Sequence, residues 1–104
     1  MSKSVLIVED YEDSRMLLAF VLEQKGYSVL HAINGLEAVQ MAKSEHPDII
    51  LMDISLPVMN GITATQQIKS DDGTKHIPII AITAHFYEYG KTAVDNGGFD
   101  VIIE

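Results

Sequence analysis

The sequence predicts an α/β fold, a doubly wound parallel sheet of five strands, for which the order 2-1-3-4-5 is supposed. Three observations predict it. Short apolar runs rich in Val and Ile recur along the 104 residues, segments of helical period separate them, and three of the runs lack polar alternation. Runs of that last kind suit central strands of a parallel sheet, covered on both faces. Such alternation implies right-handed crossovers, and ligands then bind beyond the carboxyl ends of the strands, where strand order reverses.

The elements follow in order. "VLIV" at 5–8 reads as a central strand and ends on Glu9-Asp10. Residues 13–25 carry Leu17, Phe20, Val21 and Gln24 at spacings of three and four, the face of an amphipathic helix, with Gly26 as its stop. "VLHAI" at 29–33 includes His31, which suits an edge strand. In 35–45, Leu36, Val39 and Ala42 make one helical face, and His46-Pro47 ends it. "IILM" at 49–52 is again central and ends on Asp53; a weaker helix covers 62–70; "IIAI" at 79–82 is central and ends on Thr83. A further helix is expected at about 87–96, closed by "NGG", and the short "VII" at 101–103 is expected at the other edge. No linker, repeat or low-complexity tract divides the chain, so residues 1–104 are expected to form one domain.

Composition narrows the function. Fifteen acidic residues against seven basic give a net charge of −8, which repels nucleic-acid backbones and anionic membranes. With no cysteine there is neither a disulfide framework nor thiolate chemistry, which suits a reducing cytosol. Acids interrupt the apolar run after Val8, unlike a signal peptide, and no stretch is long and apolar enough to cross a membrane. A soluble cytoplasmic protein is the expectation.

The apolar run before Asp53 raises a question, because a carboxylate buried without partners costs several kcal/mol. In the 2-1-3-4-5 order, Glu9, Asp10 and Asp53 converge in one crevice, with Thr83 beside them. Three carboxylates that close repel one another unless a cation is present, and oxygen ligands at this charge density favour Mg²⁺. The competing reading is structural: a lone acid after a strand more often caps the next helix. Other chemistries lack support. His31, His46, His76 and His85 have no ligand spacing, no "GxGxxG" or "GxxxxGK[ST]" occurs, and Ser55 lies in no "GxSxG" context. Asp71-Asp72-Gly73 reads as a solvated helix end.

Four blocks, "VLIVED" at 5–10, "DIILMDISLPVMNG" at 48–61, "IPIIAITA" at 77–84 and "GFD" at 98–100, stand in order and at separations that match a known family. Together they make the chain resemble the receiver domain of two-component response regulators, of the stand-alone type, from residue 4 to 104. The resemblance implies that Asp53 accepts a phosphoryl group from a histidine kinase or a histidine phosphotransfer protein. It implies Mg²⁺ held by Asp10, Asp53 and the backbone carbonyl of Ser55, with Glu9 contributing through water. Thr83 would hydrogen-bond a phosphoryl oxygen, the small Ala84 would leave access to Asp53, and a downstream effector protein would read the switch. Pro57 and Asn60-Gly61 would shape the loop that turns the Ser55 carbonyl to the metal, and they read equally well as ordinary turn residues.

The sequence also departs from the family. There the fifth strand is followed by a lysine and a proline; here "VIIE" ends at Glu104, so the expectation is a receiver truncated before that lysine and the last helix. Loss of the cation removes a charge-assisted bond, commonly worth about 1.5 to 3 kcal/mol. Apolar surface on the strands starting at residues 5, 79 and 101 is then expected to lie uncovered and to drive self-association. Ile102 stands where the family usually carries an aromatic switch residue; the other reading is a plain core residue of an edge strand. Two functions are weighed: a phospho-accepting signalling switch, and a protein-binding module that keeps the fold and the Mg²⁺ site without being phosphorylated. A small hydrolase built from the same acids would need a water-positioning residue that is not identifiable.

Overall fold

A computed structural model describes residues 3–82 and 98–103. Along the chain it gives β1 (Ser4–Val8), α1 (Glu12–Gln24), β2 (Ser28–Ala32), α2 (Gly35–Glu45), β3 (Ile49–Asp53), α3 (Gly61–Ser70), β4 (Ile79–Ile82) and β5 (Val101–Ile103). The strands are all parallel, in the order β2-β1-β3-β4-β5. The expected sheet and both expected edges are therefore observed. The expected helix at about 87–96 lies outside the described residues.

Period-2 alternation on the central strands divides the core into two layers. Leu6, Val8, Ile50, Met52 and Ile79 point to one face, where Ala38, Val39 and Ala42 of α2 and Ala64 and Ile68 of α3 cover them. Val5 and Ile7 point to the other, against Ala19 of α1, with Leu18, Leu22, Val29, Ile49 and Leu51 packed around them. Each fully buried Val, Leu, Ile or Met among them contributes about 1.5 to 3 kcal/mol. Unbroken apolar runs are what a two-sided sheet requires, because every position on β1 and β3 meets one layer or the other.

Two expectations fail here. Helix α1 does not bury the face read from its spacing: Leu17, Phe20 and Val21 are 65 %, 61 % and 43 % exposed, and Ala19 is the buried residue, flanked by Leu18 and Leu22. Residues 16–22 are all apolar, so the helical period is present on every side and cannot fix which side faces the sheet. In α2, similarly, Val39 and Ala42 are buried with Ala38, but Leu36 is exposed at the rim. The second failure concerns β1, expected to have uncovered apolar surface. Val5 and Ile7 are buried under α1; on β4, Ile79 and Ala81 are buried and Ile80 and Ile82 half-buried, while the exposure expected on β5 is observed at Val101 and Ile103.

Turn chemistry sets the spacing of these layers. After α1, Gly26 adopts φ 95° and the Tyr27 N–H donates to the Leu22 carbonyl, a left-handed helix stop. Both α2 and α3 begin with Asn-Gly: the side chains of Asn34 and Asn60 accept from the N–H of Glu37 and Thr63 at 2.8 and 2.9 Å. The Asn60-Gly61 pair, read in the sequence as a loop turn, is thus the start of a helix. Asp100 fixes the near edge of β5, its carboxylate accepting from the Ile79 N–H at 2.7 Å and pairing with Lys69 at 2.8 Å.

Candidate functional site

Strand order reverses at β1, which has β2 on one side and β3 on the other. The chain leaves β1 through Glu9 and Asp10 and leaves β3 through Asp53, so the topology brings these acids to the same crevice. The Glu9 N–H donates to the Ala32 carbonyl at 3.1 Å, prolonging the β1–β2 ladder by one residue. Its side chain folds back to accept from the Tyr11 N–H at 3.1 Å, and its own carbonyl accepts from the Arg15 guanidinium at 3.1 Å. Asp53 is in register with Ile82 of β4, and its Oδ1 accepts from the Ser55 N–H at 3.2 Å. One Asp53 oxygen is thereby fixed by the backbone.

Glu9, Asp10 and Asp53 each offer a carboxylate oxygen, and all three oxygens lie within 4.8 Å of one another. Asp10 is exposed, while Glu9 and Asp53 are half-buried. Partial burial, first, pushes the Glu9 carboxyl from its ordinary 4.5 up to about 7. Asp53 adds to the shift by hydrogen bonding to the protonated form and by its charge, and Asp10 adds by charge; the Tyr11 N–H opposes them. The cluster therefore favours either a proton or a cation between its oxygens. An all-oxygen donor set with this much negative charge, one member of it open to water, fits a hard divalent ion that keeps several waters, as Mg²⁺ does.

The loop from β3 to α3 continues directly from Asp53. Its neck closes on the Ile54 carbonyl, which accepts from the N–H groups of Leu56 and Gly61 at 3.0 and 2.9 Å. Its tip is a three-residue γ-turn in which the Met59 N–H donates to the Pro57 carbonyl at 2.7 Å, with Val58 between them at φ 67°. That hand of turn is rare and strained, and a β-branched residue is poorly suited to it.

A family model, the response regulator receiver domain, matches residues 5–103. The chain belongs to that family. The receiver is 41 % identical over 103 residues to the polar-differentiation response regulator DivK of Brucella ovis, covering 99 % of this chain and 84 % of the relative. The DivK of Brucella anthropi is 42 % identical over the same spans. Among solved structures, the receiver domain of a sensor histidine kinase from Pseudomonas aeruginosa, with a magnesium ion coordinated in its active site cleft, superposes with TM-score 0.91 at 30 % identity, over 99 % of this chain and 84 % of that one. The chemotaxis response regulator CheY4 of Vibrio cholerae gives 0.89 at 26 %, over 98 % and 85 %. The receiver thus acts in two-component phosphorelay signalling, and receiver domains bind Mg²⁺ at their acidic site and interact with histidine kinases or phosphotransfer proteins and with effectors.

Of the residues singled out in the sequence, Glu9, Asp10 and Asp53 come together in this receiver and Ser55 adjoins them. Thr83 and Ala84 lie outside the described residues, and Ile102 is described only by its backbone, in register with Ala81. Sequence reasoning missed Tyr11, Arg15 and Gly35. Arg15 is the only arginine in the chain, and Gly35 repeats the Asn-Gly start of α3, so both carried a signal. Neither signal pointed to a contact with the site.

Proposed function

We propose that this receiver takes a phosphoryl group on Asp53 from a phosphohistidine of a histidine kinase or histidine phosphotransfer protein, in a Mg²⁺-dependent reaction in the cytoplasm. Phosphorylation of Asp53 then changes the receiver's affinity for a downstream effector protein. The observation that carries the reading is the meeting of three carboxylates at the strand-order reversal, with Asp53 the last residue of the central strand β3.

In this reading the free oxygen of Asp53 attacks phosphorus while Oδ1 stays on the Ser55 N–H. A P–O bond forms as the P–N bond breaks, and the imidazole departs, leaving an acyl phosphate; no separate general base is needed. Asp10, Asp53 and the Ser55 carbonyl would hold Mg²⁺, with Glu9 acting through water. Bound there, the ion supplies neutralisation of the charge spread over the phosphoryl oxygens. Glu9 must give up its proton before the acids can act as ligands. By resemblance, Thr83 is assigned the hydrogen bond to a phosphoryl oxygen, Ala84 the open approach to Asp53, and Ile102 a part in the switch.

Incubation with Mg²⁺ and acetyl phosphate, followed by intact mass measurement, tests the assignment. A phosphoryl adduct on the native chain that is absent from Asp53→Asn is expected. No adduct while Mg²⁺ binding persists would contradict it and favour an unphosphorylated binding module. Self-association is proposed through Val101 and Ile103, which are exposed on the edge strand. A monodisperse monomer in light scattering at moderate concentration would remove that part.

A further inference from the structure

Gly35 opens α2, and its backbone is pressed against the loop that follows Asp53. Its N–H, one of the donors that a helix start leaves without an intrahelical partner, donates to the Met59 carbonyl at 2.9 Å. A Cβ at this position would overlap the Met59 carbonyl oxygen and lie 2.8 Å from the Met59 carbonyl carbon and 3.1 Å from the Asn60 oxygen. These neighbours are backbone atoms, which cannot rotate away. A side chain of any size at position 35 therefore moves either the helix or the loop.

The helix is the stiffer of the two. Asn34 accepts from the Glu37 N–H at 2.8 Å while the Glu37 carboxylate accepts from the Ile33 N–H at 3.1 Å, a reciprocal cap at the first turn. Ala38, Val39 and Ala42 then lock α2 into the core. The loop has less to hold its tip: Val58 is 78 % exposed and sits at φ 67° in the strained γ-turn. Such a conformation persists only where its surroundings impose it, and the Gly35 N–H grips the next residue's carbonyl.

We propose that Gly35 is a positioning residue for the cation site: by admitting the Met59 carbonyl against its bare Cα and hydrogen-bonding it, Gly35 sets the tilt of the Ser55–Met59 segment and hence the aim of the Ser55 carbonyl. The neck at Ile54 and the tip at Met59 are the two fixed points of that segment, so displacing the tip turns the residues between them. The inference rests on the reading that the Ser55 carbonyl is a metal ligand. It assigns Gly35 no contact with the ion or the phosphoryl group.

The test uses Gly35→Ala and the double variant Gly35→Ala/Val58→Gly, with Mg²⁺ affinity read by calorimetry and folding by circular dichroism. Outer partners of metal ligands typically govern about 10- to 100-fold in affinity, so Gly35→Ala, while folded, should bind Mg²⁺ at least about tenfold more weakly than the native chain. Glycine at 58 tolerates positive φ, so the double variant should recover the melting temperature without recovering the affinity. Native-like affinity in Gly35→Ala, or recovery of affinity together with stability, would overturn the inference. If Gly35→Ala does not fold, the native chain supplies the readout by nuclear magnetic resonance. During a Mg²⁺ titration the Gly35 amide should shift with those of Ser55 to Met59 while Gly26 and Gly73 stay in place, and a stationary Gly35 amide overturns the inference. Failure of the functional reading looks different: the native chain would bind no Mg²⁺, or Asp53→Asn would bind it equally well, and the inference would fall with it.

Discussion

At Glu9 two demands meet, because the position must be anionic to serve a cation and yet lies half-buried beside two other carboxylates. Its carboxyl is pushed up to about 7, so between its ordinary 4.5 and 7 the folded chain holds a proton that the unfolded chain releases. For an acid shifted upward, the associated stability is present below the lower value and lost as pH rises through the upper one. In chelator, the melting temperature should therefore fall as pH rises across that window, and Glu9→Gln should flatten the decline. Mg²⁺ should show the opposite trend, binding more tightly as pH approaches neutrality because it displaces that proton. A Mg²⁺ affinity independent of pH in the native chain would contradict the charge balance described for Glu9. The acids themselves were legible in the sequence, since a charge closing an unbroken apolar run stands out whatever the fold. Gly35 and Val58 were not, because what gives them meaning is a contact between α2 and a loop more than twenty residues away in sequence.

Among the elements, α1 shows where periodicity fails. Its apolar residues occupy every side of the helix, and the side that faces the sheet is chosen by fit: Ala19 lets the helix approach Val5 and Ile7, whereas Phe20 points to water. Small residues set interlayer distance and contribute little to a hydrophobic pattern, so the sequence points to the larger side chains instead. The consequence is measurable. Ala19→Leu should cost about 1 to 3 kcal/mol by overpacking, while Phe20→Ser should stay within about 0.5 kcal/mol, as exposed substitutions do. Denaturant unfolding of both variants checks the pair, and a larger loss at Phe20 than at Ala19 would refute the observed orientation. The strands behaved differently. With both faces of β1 and β3 covered, no phase had to be chosen, and their apolar runs identified the centre of the sheet directly.

For the molecule as a whole, the 2-1-3-4-5 order converts three acids scattered over forty-odd residues into one cluster, and the net charge of −8 makes a bound cation doubly favourable. A ligand that binds only the folded state stabilises it by mass action. Millimolar Mg²⁺ should therefore raise the melting temperature, a chelator should reverse the gain, and Asp53→Asn should blunt it. An equal rise in the Asp53 variant would place the ion elsewhere. The alternation of strands and helices pointed to a doubly wound sheet, the order was supposed, and chemistry at the carboxyl ends then selected the crevice. The central claim is that Asp53 carries the phosphoryl group when the cation is present. Treating the chain with acetyl phosphate, with Mg²⁺ or with chelator, reducing the acyl phosphate with borohydride and sequencing the peptides by mass spectrometry tests it most directly. Homoserine at position 53, formed with Mg²⁺ and absent with chelator, is the predicted result; a modified residue elsewhere, or a yield indifferent to the metal, would contradict it.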